Sequence, residues 1–313
     1  MTKNTNPYNL GTTQKKYLFR KQINELTKHH MSKCKKYNKI VNFLGFDKKK
    51  NYNLENLPYL PVQIFKEIEL ISTEKNKIVK VINSSGTSSG KPAKIHLDKK
   101  NSSDQVNALK KIIQFHIGQQ RLPMIVVDKK SSIYNQGIFD AKKAAFFGFA
   151  IFAKNFFYLI NENGSIDYSG LNEFLKKNNS KFLVFGFTYQ IFEILFNQLE
   201  NKKLKSNFKK AILLHGGGWK KMEDLKISNK NFKKLLSKKL KIKKFLNYYG
   251  LTEQTGSIFL ECKCGYFVTS EYSDLFIRDD ELNLVDKSSK GLIQLISLLP
   301  TSYPGHNILT QDI

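Results

Sequence analysis

Strand-like and helical segments alternate along most of this 313-residue chain, and this alternation limits the possible folds more than any other feature. The strand-like segments are short and apolar, at residues 124–127, 150–153, 182–187, 211–214 and 245–248. Helical periodicity lies between them, at residues 138–147, 171–177, 189–199 and 232–240. Strands that alternate with helices pair in parallel, and apolar strands are buried on both faces. The pattern therefore predicts an α/β fold with mostly parallel sheets covered by helices.

The two ends of the chain differ from this α/β body. Residues 14–44 have apolar positions at helical spacing and predict one or two helices, and residues 103–119 predict another, capped by Ser102 or Ser103. From residue 257 onward strands dominate, at residues 258–261, 275–277 and 292–298. We therefore expect a β-rich C-terminal subdomain.

A loop rich in serine and glycine joins two strand-like segments at residues 78–82 and 95–97. It reads Asn-Ser-Ser-Gly-Thr-Ser-Ser-Gly-Lys-Pro-Ala-Lys over residues 83–94. Hydroxyls, free backbone N–H groups and lysines at one point suit a polyphosphate, whose oxygens need many donors. The loop is not a Walker A loop, because only three residues separate Gly86 from Gly90 and Pro92 follows Lys91. A flexible linker is the alternative, although linkers rarely re-enter a strand through Lys-Pro-x-Lys.

Three further strand ends carry polar or glycine-rich sequence. They read Gly-Phe-Thr-Tyr at residues 186–189, His-Gly-Gly-Gly-Trp-Lys at 215–220 and Tyr-Tyr-Gly-Leu-Thr-Glu-Gln at 248–254. Ligands of open parallel sheets bind beyond the carboxyl ends of the strands, so four such ends together predict a binding site. Consecutive glycines let a planar group approach the backbone, although a plain tight turn would also explain them. Trp219 more often packs in a core than binds a ligand.

The net charge of +26 permits a nucleic-acid-binding protein. However, the lysines are spread over the whole length, and Arg20, Arg121 and Arg278 are the only arginines, although arginine is favoured for reading bases and phosphates. We therefore favour a compositional bias spread over solvated faces and expect no nucleic-acid partner. Attraction to ATP or to an acidic carrier protein remains open.

The cysteines and the apolar runs indicate a cytoplasmic protein without a membrane span. Cys34, Cys262 and Cys264 are too few for a disulfide framework, and the longest apolar run, residues 144–153, is far shorter than the about 20 residues that cross a bilayer. Cys262 and Cys264 form a Cys-x-Cys pair, with His306 as a conceivable third zinc ligand. Inert thiols are the favoured interpretation, with an acyl-accepting nucleophile as a further alternative.

Taken together, these motifs resemble the adenylate-forming superfamily of acyl-CoA synthetase-like enzymes. Residues 84–94 are similar to its phosphate loop, Tyr-Gly-Leu-Thr-Glu at 249–253 to its adenine and magnesium motif, and Asp312 to its ribose-binding aspartate. Residues 215–220, the run 249–262 and Ser-Tyr-Pro-Gly-His at 302–306 resemble the LuxE-type acyl-protein synthetases in particular. The resemblance covers about residues 50–313, in matching order.

This resemblance implies the large N-terminal domain of the adenylate-forming fold. With the helical and β-rich ends, it divides the chain into an N-terminal helical segment (1–50), an α/β nucleotide-binding core (51–256) and a β-rich subdomain (257–313). We expect the family's small C-terminal domain to be absent, since the chain stops one residue after Asp312. In the family, that domain would bring the catalytic lysine and the acyl-accepting cysteine.

The resemblance also implies a role for each matching residue. The phosphate-binding residues of the loop would be Ser85, Gly86, Thr87, Ser88 and Gly90, with Lys94 nearby. An extra residue between Thr87 and Gly90 leaves both Lys91 and Lys94 open as the phosphate partner. The adenine would lie between Gly216, Gly217, Gly218, Tyr249 and Gly250. Thr252 would contact the α-phosphate, Glu253 would bind Mg²⁺ and Asp312 the ribose. Phe187, Thr188 and Gly250 would line the acyl pocket, and Thr87, Lys94, Thr252 and Glu253 would carry the catalysis.

The implied activity is the ATP-dependent conversion of a carboxylic acid, in particular a long-chain fatty acid, to an acyl-adenylate. The acyl group would then pass to a thiol of an acceptor or carrier protein. Because a carboxylate is already ionised at pH 7, this chemistry needs charge neutralisation rather than a general base. Two other hypotheses stay open: a catalytically incomplete remnant or ATP-binding partner subunit, and a basic nucleic-acid-binding protein.

Overall fold

The computed structural model describes residues 6–84, 91–135, 141–200, 206–219 and 227–313. Its helices are α1 (Thr12–Lys33), α2 (Lys35–Phe43), α3 (Ile64–Glu67), α4 (Lys99–Ile117), α5 (Lys130–Tyr134), α6 (Ala141–Ala150), α7 (Tyr168–Lys177), α8 (Thr188–Gln190) and α9 (Asn229–Leu240). A π-helical segment, Ile191–Gln198, continues α8, and 3₁₀ turns lie at Leu54–Asn56, Lys75–Lys77, Ser206–Lys210 and Thr252–Gln254.

The strands are β1 (Leu60–Pro61), β2 (Ile78–Asn83), β3 (Lys94–Asp98), β4 (Leu122–Lys129), β5 (Ala153–Ile160), β6 (Phe182–Phe187), β7 (Ala211–Gly216), β8 (Lys244–Tyr249), β9 (Phe259–Glu261), β10 (Phe267–Val268), β11 (Ser273–Arg278), β12 (Leu284–Val285), β13 (Leu292–Ser297) and β14 (Asn307–Leu309). β2 and β3 pair as an antiparallel hairpin on either side of residues 85–90, which lie outside the described residues.

A seven-stranded sheet forms the centre of the fold, in the order β10-β9-β8-β7-β6-β4-β5. The five strands from β5 to β8 are parallel, and β9 and β10 extend the sheet in antiparallel orientation. Every residue of β6 and β7 is buried, as expected for strands covered on both faces. The predicted α/β class with a mostly parallel sheet is therefore confirmed.

Helices cover the two faces of this sheet, and each face has its own apolar cluster. On one face, Leu213 of β7 packs with residues of α7, α9 and the π-helical segment, including Phe232 and Leu236 of α9. On the other face, Ile212 and Leu214 of β7 pack with α4 and α6. Alternate residues of one strand thus face different helices, which decides how the ends of β7 and β8 contribute to the site.

Two local predictions were wrong. The helix expected at 103–119 begins at Lys99, and its N-cap is Asp98, which accepts a 2.8 Å hydrogen bond from the Asn101 backbone N–H. The segment 150–153 is not a strand, because α6 continues to Ala150 and β5 starts at Ala153. An apolar run of this length is compatible with a buried helix as well as a strand, and its phenylalanines Phe146 and Phe149 pack into the core from α6.

A second sheet, in the order β1-β14-β13-β11-β12, contains most of the strands predicted after residue 257. Its strands are antiparallel except for the β1–β14 pair. β1 comes from the predicted α/β core, residues 51–256, whereas β9 and β10 lie after residue 256 and join the large sheet. The division into residues 1–50, 51–256 and 257–313 stays a prediction.

The N-terminal helices pack against this second sheet. Phe19 and Ile23 of α1 and Tyr37 and Val41 of α2 share a buried cluster with β13, β14 and the segment between them. A buried polar contact crosses the same junction, where the Thr27 hydroxyl lies 2.9 Å from Nε2 of His306. The described part of the chain contains no helix with the length and apolar content needed to cross a membrane.

Candidate functional site

A cleft of about 900 Å³ lies at the carboxyl ends of β6, β7 and β8. It brings together most of the described residues that the sequence placed in the site, namely Phe187, Thr188, Gly217, Gly218, Tyr249, Gly250, Thr252, Glu253 and Asp312. Gly216 is the last residue of β7 and immediately precedes the lining glycines. Lys94 is exposed at the start of β3, opposite Asn83, and does not line this cleft. Ser85, Gly86, Thr87, Ser88 and Gly90 lie outside the described residues.

The strand pleat divides the cleft into two halves. His215, Asn247 and Tyr249 alternate with Gly216 and Tyr248 along β7 and β8, so the two sets face opposite sides of the sheet. The His215 ring lies 5.0 Å from that of Phe232 on α9, and the Tyr248 ring lies 4.7 Å from that of Phe149 on α6. We call these the α9 half and the α6 half of the cleft.

The glycine turn after β7 lies between these halves and excludes larger residues. A Cβ atom on Gly216 would lie 2.5 Å from the Tyr248 carbonyl oxygen, and one on Gly217 would lie 2.7 Å from the Phe187 ring. Gly217 and Gly218 also have φ values of +73° and +61°, in the left-handed region that glycine adopts most easily. Close contacts with neighbouring residues therefore require glycine at this turn, in addition to the backbone conformation of the turn itself.

His215 in the α9 half has a ring nitrogen that is open to a ligand. Its Nδ1 lies 3.0 Å from the Thr188 hydroxyl, which also lies 3.2 Å from the Gly216 carbonyl. Complete burial lowers the pKa of His215 to about 3, so the ring is neutral. Its Nε2 has no partner among the residues that the structure describes.

The 3₁₀ turn Thr252–Gln254 places an acidic group in the lining of the cleft. Only 5% of Glu253 is exposed, and burial raises the pKa of its carboxyl while the charge of Lys66 opposes the rise. Tyr303 donates a 2.9 Å hydrogen bond to the Glu253 carbonyl, and a Cβ on Gly305 would lie 2.6 Å from that same oxygen. Residues 302–306 therefore hold the backbone of this turn in place, a role that their sequence motif did not indicate.

Asp312 lies beside this turn. The Tyr249 hydroxyl donates a 2.5 Å hydrogen bond to Asp312 Oδ2. This bond connects two motifs that lie far apart in the sequence. Burial and the negative charge of Asp312 both raise the pKa of Tyr249, so the phenol keeps its proton and remains a donor.

Two lysines that the sequence analysis missed also line the cleft. They are Lys66 of α3 and Lys80 of β2, and burial lowers the pKa of Lys80. Neither follows a recognisable motif, and a chain with 52 lysines and arginines gives no reason to single them out. Asn247 was also missed; it donates a 2.9 Å hydrogen bond to Glu261, whose other partners are Asn229 and Lys233.

The Cys262–Cys264 pair does not form the zinc site considered from the sequence. Within the described ranges, no group of three or more histidine, cysteine, aspartate or glutamate side chains could hold a metal ion. His306 is fully buried elsewhere, bonded to Thr27 and stacked on His30. The thiols are free, and hydrogen bonding to the backbone of Tyr266 lowers the pKa of Cys262.

Solved structures share this fold at low sequence identity. An open conformation of 2-hydroxyisobutyryl-CoA ligase, in complex with 2-HIB-AMP and CoA, superposes with a TM-score of 0.69 at 12% identity, over 99% of this chain and 72% of that one. The same ligase in its thioesterification state gives a TM-score of 0.70 at 12% identity, over 97% of this chain and 64% of that one. These similarities show the fold of adenylate-forming enzymes, with the chain spanning only part of the ligase's length. No curated protein sequence matches the chain.

The sequence itself matches a family model over its whole length. The model is described as "Acyl-protein synthetase, LuxE", and the match covers residues 1–313. The expected resemblance is thus confirmed, and it extends over the N-terminal helices as well as residues 50–313. The chain belongs to the LuxE family of acyl-protein synthetases and is an acyl ligase with the adenylate-forming fold.

Proposed function

We propose that this chain uses ATP to convert a carboxylic acid, in particular a fatty acid, to an acyl-adenylate, and that the acyl group passes to a thiol of an acceptor protein in the cytoplasm. One observation carries the proposal. Residues predicted for the nucleotide, the metal ion and the acyl group come from four separate segments and line one cleft. The large sheet gives this cleft two chemically different halves, as a reaction between a nucleotide and an apolar acid requires.

The α9 half suits the adenosine part of ATP. The glycine turn lets a planar base lie against the backbone, and Tyr249 offers an aromatic face. His215 Nε2, which has no partner among the described residues, would accept a hydrogen bond from the adenine amino group. Asp312 is held by Tyr249 at the cleft edge, where its carboxylate would accept hydrogen bonds from ribose hydroxyls.

The donor chemistry at Glu253 fits Mg²⁺. Its carboxylate is buried, and its raised pKa shows that the surroundings do not fully compensate its charge. Mg²⁺ prefers oxygen ligands and is commonly held by one or two carboxylates together with substrate phosphates. When bound, Mg²⁺ would neutralise phosphate charge, and Glu253 would hold it within the cleft.

Positive side chains near the same point would favour the approach of two anions. Lys66 acts electrostatically on Glu253, and both Lys66 and Lys80 line the cleft. Attack of a carboxylate on the α-phosphate brings like charges together, so fixed positive charge lowers the barrier. Thr252, which also lines the cleft, would contact the α-phosphate.

The α6 half suits the acyl chain. The lining side chains of α6 and the turn after it are apolar, and they include Ala145, Phe147, Phe149 and Ile151. Leu109 of α4 and Phe187 of β6 complete the wall. Burial of methylene groups here would contribute about 0.8 kcal/mol each.

The proposal is tested by carboxylate-dependent exchange of pyrophosphate into ATP, measured over fatty acids of increasing length. Exchange should require both an acid and Mg²⁺. Glu253→Gln should reduce it at least tenfold, and Glu173→Gln is the matched control, because Glu173 lies on the surface and pairs with Lys177. Acyl transfer is then followed with radiolabelled fatty acid and candidate thiol proteins. Exchange with none of the acids would overturn the proposal.

A further inference from the structure

One polar group in the α6 half is not explained by an apolar acyl chain. The Tyr248 hydroxyl is buried and has no hydrogen-bond partner among the residues that the structure describes. Buried hydroxyls in native proteins are normally bonded, and an unsatisfied one costs about 1–3 kcal/mol. Tyr248 therefore carries a cost in the ligand-free protein, which suggests that its partner arrives with a ligand.

The surroundings of Tyr248 hold its ring in place. The ring lies 4.7 Å from that of Phe149, and Tyr248 pairs with Gly216 across β7 and β8. A Cβ on Gly216 would lie 2.8 Å from two atoms of the Tyr248 ring, so the ring occupies the space that this glycine leaves open. Because Tyr248 also lines the cleft, a ligand in the α6 half would lie against it.

The chemistry of the phenol defines what it can bind. Burial raises the pKa of Tyr248 well above neutral pH, so the hydroxyl keeps its proton and can donate it. Its neighbours Phe149, Phe147 and Ile151 provide no competing acceptor on their side chains. An acceptor oxygen of a ligand in this half would therefore meet no competing side-chain acceptor from these three residues.

We propose that Tyr248 selects a carboxylic acid whose acyl chain carries a hydroxyl or oxo group, and that it donates a hydrogen bond to this oxygen. The inference rests on the proposed acid activation and narrows its substrate from plain fatty acids to oxygenated ones. An apolar pocket with a small number of buried polar groups is the usual way in which proteins combine affinity with specificity. A site built to bond a substrate oxygen discriminates against the analogue that lacks it.

The test measures ATP–pyrophosphate exchange with octanoic acid and with its hydroxy and oxo derivatives, in which the oxygen is moved along successive carbons from the carboxylate. The wild-type protein should prefer at least one oxygenated acid by about ten- to hundredfold in kcat/KM. Tyr248→Phe should remove this preference, because it lowers kcat/KM for the preferred oxygenated acid about tenfold or more relative to kcat/KM for octanoic acid. Tyr158→Phe is the matched control, because it removes a phenol that bonds to Tyr134 and does not line the cleft.

A second measurement separates recognition from stability. Tyr248→Phe removes an unpartnered hydroxyl, so its Tm without ligand should equal or exceed that of the wild type. A clear loss of Tm would show that the hydroxyl has a structural partner and would overturn the inference. Equal use of plain and oxygenated acids by the wild type would also overturn it while leaving acid activation intact. Exchange with no acid at all would instead remove the proposed function and this inference together.

Discussion

The Tyr249 hydroxyl and the Asp312 carboxylate are joined by a 2.5 Å hydrogen bond that holds the last described segment against the end of β8. The two residues are 63 positions apart in the sequence. Each belongs to a motif for which the sequence implied a separate contact with the nucleotide. In the folded chain they form one unit, in which the phenol orients the carboxylate.

This unit leads to a prediction for ATP binding. Asp312→Ala should raise the ATP dissociation constant by roughly ten- to hundredfold, because hydrogen bonds to a charged group contribute about 1.5–3 kcal/mol. Tyr249→Phe keeps the ring and loses only the orienting bond, so its effect should be a few-fold. Isothermal titration calorimetry checks both values. Tyr266→Phe is the control, since Tyr266 is 75% exposed. Wild-type affinity in Asp312→Ala would exclude this aspartate from the nucleotide site.

The glycine turn gives a prediction with an internal control. Gly216→Ala should destabilise the protein and abolish ATP binding, because its Cβ would lie 2.5 Å from the backbone oxygen of Tyr248. Gly218→Ala meets open space and should cost only the about 1–2 kcal/mol of a left-handed conformation. Thermal unfolding and ATP titration of the two variants provide the comparison. Similar losses of stability and ATP affinity in the two variants would contradict the predicted effect of the close contact at Gly216.

Much of this arrangement could be predicted from the sequence, because it follows from short-range patterns. Alternating apolar strands and helices predicted the parallel sheet, and polar strand ends predicted the position of the site. Gly217 and Glu253, which line the cleft, were singled out in this way, since motifs at strand ends remain close to the sheet edge in any such fold.

The rest depends on contacts between segments far apart in sequence. Lys66 and Lys80 reach the cleft from α3 and the β2–β3 hairpin, and no local pattern distinguishes them from other lysines. Residues 302–306 were recognised as a motif, but their support of Glu253 is visible only in the folded chain. The start of α4 was missed because Asp98 belongs to a strand and caps the following helix at the same time.

Burial of Glu253 predicts opposite effects on stability and binding. Only 5% of Glu253 is exposed, and burial raises the pKa of its carboxyl because the folded state disfavours the charge; Glu253→Gln removes this penalty and should raise the Tm of the ligand-free protein. The same change should weaken binding of ATP in the presence of Mg²⁺ much more than in the presence of EDTA. Differential scanning fluorimetry with and without Mg²⁺ and ATP measures both effects. If Gln lowered the Tm without ligand, the carboxylate would have a structural role instead.

The stacked histidines between the N-terminal helices and the second sheet predict acid sensitivity. His30 and His306 are fully buried with ring centroids 4.8 Å apart, and His29 and Tyr37 pack around them. Burial lowers the pKa of His306 to about 3 and that of His30 well below its usual 6.5. The hydrogen bond from His30 to the Pro300 carbonyl opposes part of this lowering of the pKa, and His30 Nδ1 lies 2.8 Å from the Ser72 hydroxyl.

The sign of the pH effect follows from these lowered pKa values. Above pH 6.5 both rings are neutral in the folded and unfolded chains, so their contribution to stability is fully present. Below pH 6.5 the unfolded chain takes up protons that the folded chain excludes, and stability falls by about 1.4 kcal/mol per pH unit for each histidine. From pH 6.5 to pH 5 the loss should be about 2 kcal/mol for His306, and His30 adds a loss in the same direction. His306→Gln should therefore remove the share of His306 from the pH dependence of the free energy of unfolding that these two residues produce. Urea unfolding at a series of pH values measures how the free energy of unfolding changes with pH. His29→Gln is the control, because His29 is only partly buried and bonds to the Thr301 carbonyl. An unchanged slope in His306→Gln would show that this ring takes up its proton in the folded state, which its burial between Thr27 and His30 argues against.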